Sequence, residues 1–322
     1  MSPEVANEID QINVSLNAGG MNTVNIVLAF VMFGVALGIK PRMFVEVFKK
    51  PKSVILGVLC QLVFLPLVTF LLTLALGDRI SWTIAMGMIL VASCPGGNIS
   101  NFISSLSKAN VELSVSLSAI TTSTAVLVTP FNFWLYGNLY LKFAQVACDI
   151  PSLSIPLGDI FKTIFILLGL PLVAGILVNQ YLPKVASILK KPLQWLSIVF
   201  FLGMVVMSFF GNLDAFMKCI KYIFLIVLVH NGLALLTGFS VASIGLLPKA
   251  DRRTLTIETG IQNSGLGLVL LLGTSLFANF PPHGGMLVIT AWWGVWHIVS
   301  GLTTAAIFNL KRFNRPEAAK AA

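Results

Sequence analysis

Thr254-Leu255-Thr256-Ile257-Glu258-Thr259-Gly260-Ile261-Gln262-Asn263-Ser264-Gly265 is a polar, glycine-broken stretch that runs directly into the apolar Leu266-Gly267-Leu268-Val269-Leu270-Leu271-Leu272. Glu258 has no route to water from such a segment. The other eleven of the 12 Asp and Glu fall in the tails, in short loops or at segment edges. An acidic group at membrane depth costs about 2.5–3.5 kcal/mol on insertion scales, so it persists where a cation, a partner or a watery path compensates it. Glu258 is therefore the first candidate for function.

Working outward, the chain has 322 residues, 57% hydrophobic and only 10% charged, with a mean hydropathy of +0.91. Soluble domains carry about 25% charged residues, which excludes an ordinary globular reading. A helical crossing needs about 20 mostly apolar residues. Nine segments approach that length, near 22–39, 52–76, 82–107, 110–136, 158–182, 192–211, 219–247, 253–279 and 284–309. The expectation is an all-α polytopic membrane protein with about nine transmembrane helices, a polar N-terminal tail (1–21), a transmembrane unit (22–309) and a basic tail (310–322). The longest connection, 137–157, contains Asp149, Pro151 and Pro156 and reads as a re-entrant or surface turn. The first 20 residues lack the basic start, apolar core and cleavage site of a signal peptide and read as a mature tail. Cys60, Cys94, Cys148 and Cys219 form no metal-spaced pair.

Net charge is +9, and its distribution sets orientation. Sixteen of the 21 Lys and Arg lie on alternate connections: 40–52, Lys108, 184–191, 249–253 and the C-terminal tail. The opposite side holds Arg79, Lys142, Lys162, Lys218 and Lys221. Positive charge marks the cytoplasmic face, which places the N-terminus outside and the C-terminus in the cytoplasm. The basic residues are dispersed without aromatic interleaving, so no nucleic-acid partner is expected. The bilayer is the expected partner, no obligatory protein partner is evident, and the compact loops suggest a bacterial inner membrane.

Two of the nine segments are interrupted. The third contains Ser93-Cys94-Pro95-Gly96-Gly97-Asn98-Ile99-Ser100-Asn101, and the eighth contains Gly260-Ile261-Gln262-Asn263-Ser264-Gly265. Proline removes a backbone donor, and glycine adds freedom. Unwound backbone at this depth must be buried in protein or line a cavity. If the fifth helix opens the second half, the halves are 22–136 and 158–309, and the two interrupted helices correspond in inverted repeats. That arrangement points to a secondary-transporter binding site, with half-helix N-termini suited to anions and free carbonyls suited to cations.

The fourth segment carries Ser114, Ser118 and Thr121 or Thr122 on one helical face. Such a stripe serves as helix–helix glue or as part of a cation shell. Neutral oxygens with a single carboxylate suit a bare monovalent cation, whereas calcium favours more carboxylates. A proton could also use Glu258.

The chain resembles the bile acid:sodium symporter family over about residues 22–310. The resemblance is carried by Cys94-Pro95-Gly96-Gly97-x-x-Ser100-Asn101, Asn110-Val111-x-Leu113-Ser114-Val115, Val229-His230-Asn231-Gly232, Thr256-Ile257-Glu258-x-Gly260-x-Gln262-Asn263-Ser264-Gly265 and Val295-Trp296-His297-x-x-Ser300-Gly301. It implies a panel domain packed on a core domain, with the two interrupted helices crossing in the core. It implies a first sodium site of Ser100, Asn101, Ser114, Ser118 and Glu258, and a second of Gln61, Glu258, Gln262 and the carbonyls of Thr259 and Ile261. Substrate would meet Asn98, Asn263, Ser264 and His297. The implied function is Na⁺-coupled uptake of an organic anion by alternating access, the cargo a bile acid or a small carboxylate such as a keto acid or pantoate. A proton-coupled carboxylate transporter on the same fold is the alternative. Asn98 departs from the Thr of many members, which bears on cargo choice. Ser118 replaces a threonine and keeps its hydroxyl, and the extra N-terminal helix of ten-helix members is not apparent.

His230 and His297 are packing histidines or, for His297, a substrate contact. Trp292, Trp293 and Trp296 fit core packing or an interfacial belt. An intramembrane hydrolase would need a second carboxylate or a positioned base beside its nucleophile, and no such pairing is present, so no enzyme is expected. A passive channel would not need a carboxylate shared between two cation sites.

Overall fold

A computed structural model describes residues 3–12, 18–39, 51–97, 99–148, 155, 157–210, 213–273 and 282–310. Among the described residues the backbone is helical apart from turns and one isolated bridge. In chain order the helices are α1 (Pro3–Asp10), α2 (Ala18–Ala36), α3 (Pro51–Arg79), α4 (Trp82–Ser93), α5 (Ile99–Leu106), α6 (Val111–Cys148), α7 (Leu157–Tyr181), α8 (Pro183–Phe210), α9 (Leu213–Ile244), α10 (Lys249–Gly260), α11 (Ser264–Gly273) and α12 (Gly284–Asn309). Over the described residues, each segment expected from the sequence falls on one of these helices or on a broken pair; 274–279 of the eighth and 211 of the sixth lie outside the described residues. Among the described residues five stretches are in themselves long and apolar enough to cross a bilayer: α3, α7, α12, and residues Val111–Gln145 and Ile220–Ile244 of α6 and α9.

Local chemistry explains the irregular points. Pro66 and Pro171 have no N–H to give, and each follows a π-helical turn, Cys60–Phe64 in α3 and Phe165–Gly169 in α7. In α3 the proline frees the carbonyl of Leu62, and the Asn132 Nδ2 of α6 donates to it at 2.8 Å. Ser81 caps α4 by accepting from Ile84 N, and Asn110 caps α6 by accepting from Leu113 N. Lys108 and Leu246, with φ of 51° and 53°, turn the chain after α5 and α9.

Two expectations are revised. The 137–157 segment is not all connection, because α6 continues to Cys148. Tyr140, Leu141 and Ala144 are buried on its inner face, and Asn138 clamps the returning chain by donating to Ile155 O and accepting from Ile155 N. The N-terminal tail is also more than polar chain. Residues Pro3–Asp10 form a helix whose Ile9 is fully buried against α9 and α12.

α2, α7 and α8 pack on one another, and they meet the remaining helices through α2 on α11, α7 on α6 and α8 on α12. Lipid is as apolar as leucine, so close backbone approach does much of the work of association. A Cβ on Gly175 of α7 would lie 2.5 Å from that of Ala36 in α2, so only glycine allows that approach. Ile84, Met88 and Leu90 of α4, Met286, Ile289 and Trp293 of α12 and Leu268 of α11 belong to one buried apolar cluster that also takes in Leu28 and Met32 of α2 and Leu168 of α7.

Candidate functional site

The site is built where α4–α5 and α10–α11 are broken. Cys94 leaves α4 in an extended conformation (φ −73°, ψ 156°) ahead of Pro95, which disfavours a helical residue before it. Ile261 leaves α10 extended as well (φ −116°, ψ 91°). The two breaks cross antiparallel at a single bridge, Gly96 with Gln262. Gly97 N donates to Ile261 O and Asn263 N donates to Pro95 O, each at 2.8 Å. Each break thus satisfies backbone groups that the other left without a helical partner, which lets unwound chain sit inside a membrane protein.

Glu258, fully buried in the last turns of α10, lies beside this crossing. Ser100 of α5 donates to its Oε1 at 2.5 Å, Ser114 of α6 donates to the same oxygen, and Ser118 donates to Oε2 at 3.1 Å. Asn101 Oδ1 accepts from Ser114 at 2.9 Å and from Ser118 at 3.4 Å. A hydroxyl has one proton, yet Ser114 has two acceptors in reach, and Ser118 has Asn101 Oδ1 and both Glu258 oxygens. The cluster is therefore rich in oxygen acceptors and short of donors, which is the balance a cation corrects. All five residues expected in the first cation site come together. Thr121 does not join them: its hydroxyl donates back to Leu117 O within α6.

The second expected set meets on the other side of the carboxylate. Gln61 of α3 is fully buried, and neither of its side-chain polar atoms has a hydrogen-bond partner. A Cβ on Gly96 would lie 2.7 Å from Gln61 Oε1 and 3.1 Å from Glu258 Oε2, so the glycine is what lets both oxygens approach the crossing. Gln262 Nε2 donates to Thr259 O at 2.9 Å and to Glu258 O at 3.3 Å, while its Oε1 and the Thr259 hydroxyl have no partner. The Ile261 carbonyl accepts from Gly97 N. Buried acceptors without donors are costly unless something fills them, and a desolvated cation is a chemical fit to this set. Among the described residues no three His, Cys, Asp or Glu side chains gather.

Of the residues expected to meet substrate, Asn263 is half-buried and caps α11 by accepting from Leu266 N at 3.1 Å. Ser264 opens α11, buried against the side that Gly294 of α12 leaves free. His297 of α12 is buried with its Nδ1 unpartnered. Asn98 lies outside the described residues. His230 is held by Thr69 Oγ1 at 2.8 Å and packs on the Trp293 ring at 4.7 Å, a packing histidine.

Three buried polar residues were not singled out from sequence. Asp251, at a segment edge and grouped there with solvated carboxylates, is buried in the first turn of α10, where it accepts from Ser53 Oγ at 2.6 Å and Asn110 Nδ2 at 2.8 Å. Arg253 is also buried; it donates to Ser107 O and Phe308 O at the ends of α5 and α12 and stacks on the Phe308 ring. Asn231 donates to Gly260 O at 2.7 Å. The available signal was the run Asp251-Arg252-Arg253 directly before the polar stretch, and Asn231 inside a quoted motif.

An all-helical integral membrane protein whose broken helices cross around one buried carboxylate is built as a transporter, not an enzyme. Residues 25–219 match the sodium bile acid symporter family, and the chain belongs to that family. It is 32% identical over 288 residues to the uncharacterised sodium-dependent transporter YocS of Bacillus subtilis (strain 168), covering 89% of this chain and 83% of that protein. It is 28% identical over 284 residues to sodium/bile acid cotransporter 4 of Mus musculus, covering 87% of this chain and 61% of that protein. Against the P3 protein of Mus musculus it is 29% identical over 226 residues, 70% of this chain and 46% of that protein. The chain thus spans less than two thirds of these mammalian relatives. Sodium-dependent transport is the activity of the family and of the bacterial relative.

Proposed function

We propose that the protein is a symporter that uses two sodium ions to import a small organic anion across a bacterial inner membrane. The observation that carries this reading is the oxygen cluster on Glu258, drawn from α5, α6 and α10, beside the unpartnered Gln61 and Gln262 oxygens. In the first site Ser100, Asn101, Ser114 and Ser118 supply neutral oxygens and Glu258 supplies the charge. In the second, Gln61, Gln262 and the Thr259 and Ile261 carbonyls share that charge. The two sites share one carboxylate, so occupancy of each alters the other, and the doubly occupied pair carries a net positive charge that an anionic substrate offsets. With both bound, the crossing is held and the α11 N-terminus, with Asn263, Ser264 and His297, offers donors to a carboxylate. Asn98 would complete that surface.

Alternating access follows as movement of the panel, α2, α7 and α8, against the core, with residues 22–136 and 158–309 as inverted halves and the N-terminus outside. The shell of serine and amide oxygens around Glu258 is something a bare cation needs and a proton does not, which favours sodium over a proton as the coupling ion.

Reconstituted vesicles with an imposed inward sodium gradient, offered a bile acid, a 2-keto acid and pantoate in turn, test the reading. Accumulation of one of these above equilibrium in sodium, and none in potassium at the same ionic strength, is the expected result. Accumulation driven by a pH gradient and indifferent to sodium would replace it with the proton-coupled alternative.

A further inference from the structure

At the end of α10 Ile257 O still has its i+4 backbone donor, whereas Glu258 O, Thr259 O and Gly260 O do not, and their fates are unequal. Ile257 O accepts from Ile261 N. Glu258 O and Thr259 O both accept from the Gln262 side chain. Gly260 O accepts from Asn231 Nδ2 of α9 at 2.7 Å, and Asn231 is 1% exposed. Beyond the helix, Ile261 O accepts from Gly97 N across the crossing. Gly260 is the one carbonyl of this run tied to a transmembrane helix outside the crossing.

The tie is backed by close packing. A Cβ on Gly238 would strike Leu255 O, and one on Gly260 would strike the Leu235 side chain, so α9 and α10 touch through a glycine on each helix, just C-terminal to Asn231 along α9. The first break has a matching feature. Gln61 of α3 reaches Gly96 as Asn231 of α9 reaches Gly260. Each break is met by one buried carboxamide from a neighbouring helix. Gln61 is left with no partner, whereas Asn231 spends its N–H on a backbone carbonyl.

We propose that Asn231 is a positioning residue for the second cation site: by holding Gly260 O toward α9, it keeps that carbonyl out of the site and fixes the flanking Thr259 and Ile261 carbonyls toward it. Successive carbonyls around a helix end point in different directions, so fixing one constrains its neighbours. Without the Asn231 donor, Gly260 O is a buried acceptor in need of a partner, and the peptide planes on either side reorient to find one. The first site, built from side chains of α5, α6 and Glu258, does not depend on this tie. The proposal rests on the sodium reading above.

The test is a sodium titration of thermal stability on the purified full chain, for wild type, Asn231→Leu and Asn231→Ala, each referred to its own melting temperature in KCl. Leu keeps the side-chain volume without the donor, so it guards against a folding failure in the Ala variant. Groups that orient metal ligands are worth about 10- to 100-fold in affinity, so the half-maximal sodium concentration should rise about tenfold in both variants. The sodium dependence should also become less steep, toward that of one site, with the first site still responding. A general loss of stability would lower the KCl baseline and leave the half-maximal concentration and steepness unchanged; that result overturns the proposal. No sodium response in wild type would overturn the underlying sodium reading instead. A response in wild type matched by both variants leaves that reading intact and removes Asn231 from it.

Discussion

The panel is made of apolar sequence and the crossing of polar, glycine-broken sequence, and the two handle their buried polar groups differently. In the panel, α7 turns Phe165, Leu170 and Val173 outward, and Asn179 simply donates to Ile39 O at the end of α2. That bond closes a helix end. At the crossing, Glu258, Gln61, Gln262 and Thr259 are all fully buried, and three of the four retain a side-chain oxygen with no donor. The panel also holds a buried oxygen without a donor, Asn25 Oδ1 of α2, but it stands by itself. What distinguishes the crossing is that several such oxygens gather beside one carboxylate, and on the proposed reading that makes the crossing the working part and the panel its scaffold.

The contrast breaks most sharply at Glu258. Glu258→Gln should abolish sodium-driven uptake, while Asn179→Leu in the panel should leave it near wild type; equal losses in vesicle assays would erase the distinction. Gly96→Ala comes next. Its methyl would meet Gln61 Oε1 and Glu258 Oε2, and overpacking costs about 1–3 kcal/mol. Sodium affinity should fall more than the melting temperature does, as separate titration and melting curves would register.

Arg253→Ala tests the base of the core rather than its centre. Two charged hydrogen bonds, to Ser107 O and Phe308 O, are removed at about 1.5–3 kcal/mol each. A melting temperature lower by several degrees, with the half-maximal sodium concentration unchanged, is the expected outcome. The smallest effect lies outside the membrane. Burial of Asp10 pushes its carboxyl from 3.8 up to about 6, with the Thr83 and Ser81 hydroxyls pulling it partly back. The folded protein favours the neutral form, so the contribution of Asp10 to α1 docking is full below pH 4 and fades as pH rises through about 6. Hydrogen-exchange protection in residues 3–12, taken relative to the intrinsic exchange rate at each pH, should be greater at pH 5 than at pH 7.5, and Asp10→Asn should flatten that difference.

Much of this was legible in the chain because a membrane makes polarity conspicuous. Glu258 stood out among Leu and Val, and Pro95-Gly96-Gly97 and Gly260 marked the breaks to within a residue or two of the ends of α4 and α10. The serine stripe was visible by spacing, but periodicity alone could not separate Ser114 and Ser118, which reach Glu258, from Thr121, which turns back on its own helix. Asp251 and Arg253 were obscured for a physical reason. They lie where loop ends and helix begins, a place where charges are usually solvated, and their burial comes from α3, α5, α6 and α12 folding over them. The extension of α6 to Cys148 was hidden likewise, since its clamp on Ile155 is a tertiary contact. Asn231 sat in a quoted motif, yet nothing in the sequence placed it against Gly260.

The central claim is that sodium binds the crossing through Glu258. Melting temperature in NaCl against KCl at equal ionic strength, for wild type and Glu258→Gln, tests it most directly, because a ligand that binds only the folded state raises stability by mass action. The account predicts a higher melting temperature in NaCl for wild type and no difference for Glu258→Gln. Equal melting temperatures in the two salts for wild type, or a sodium shift that survives Glu258→Gln, would contradict it.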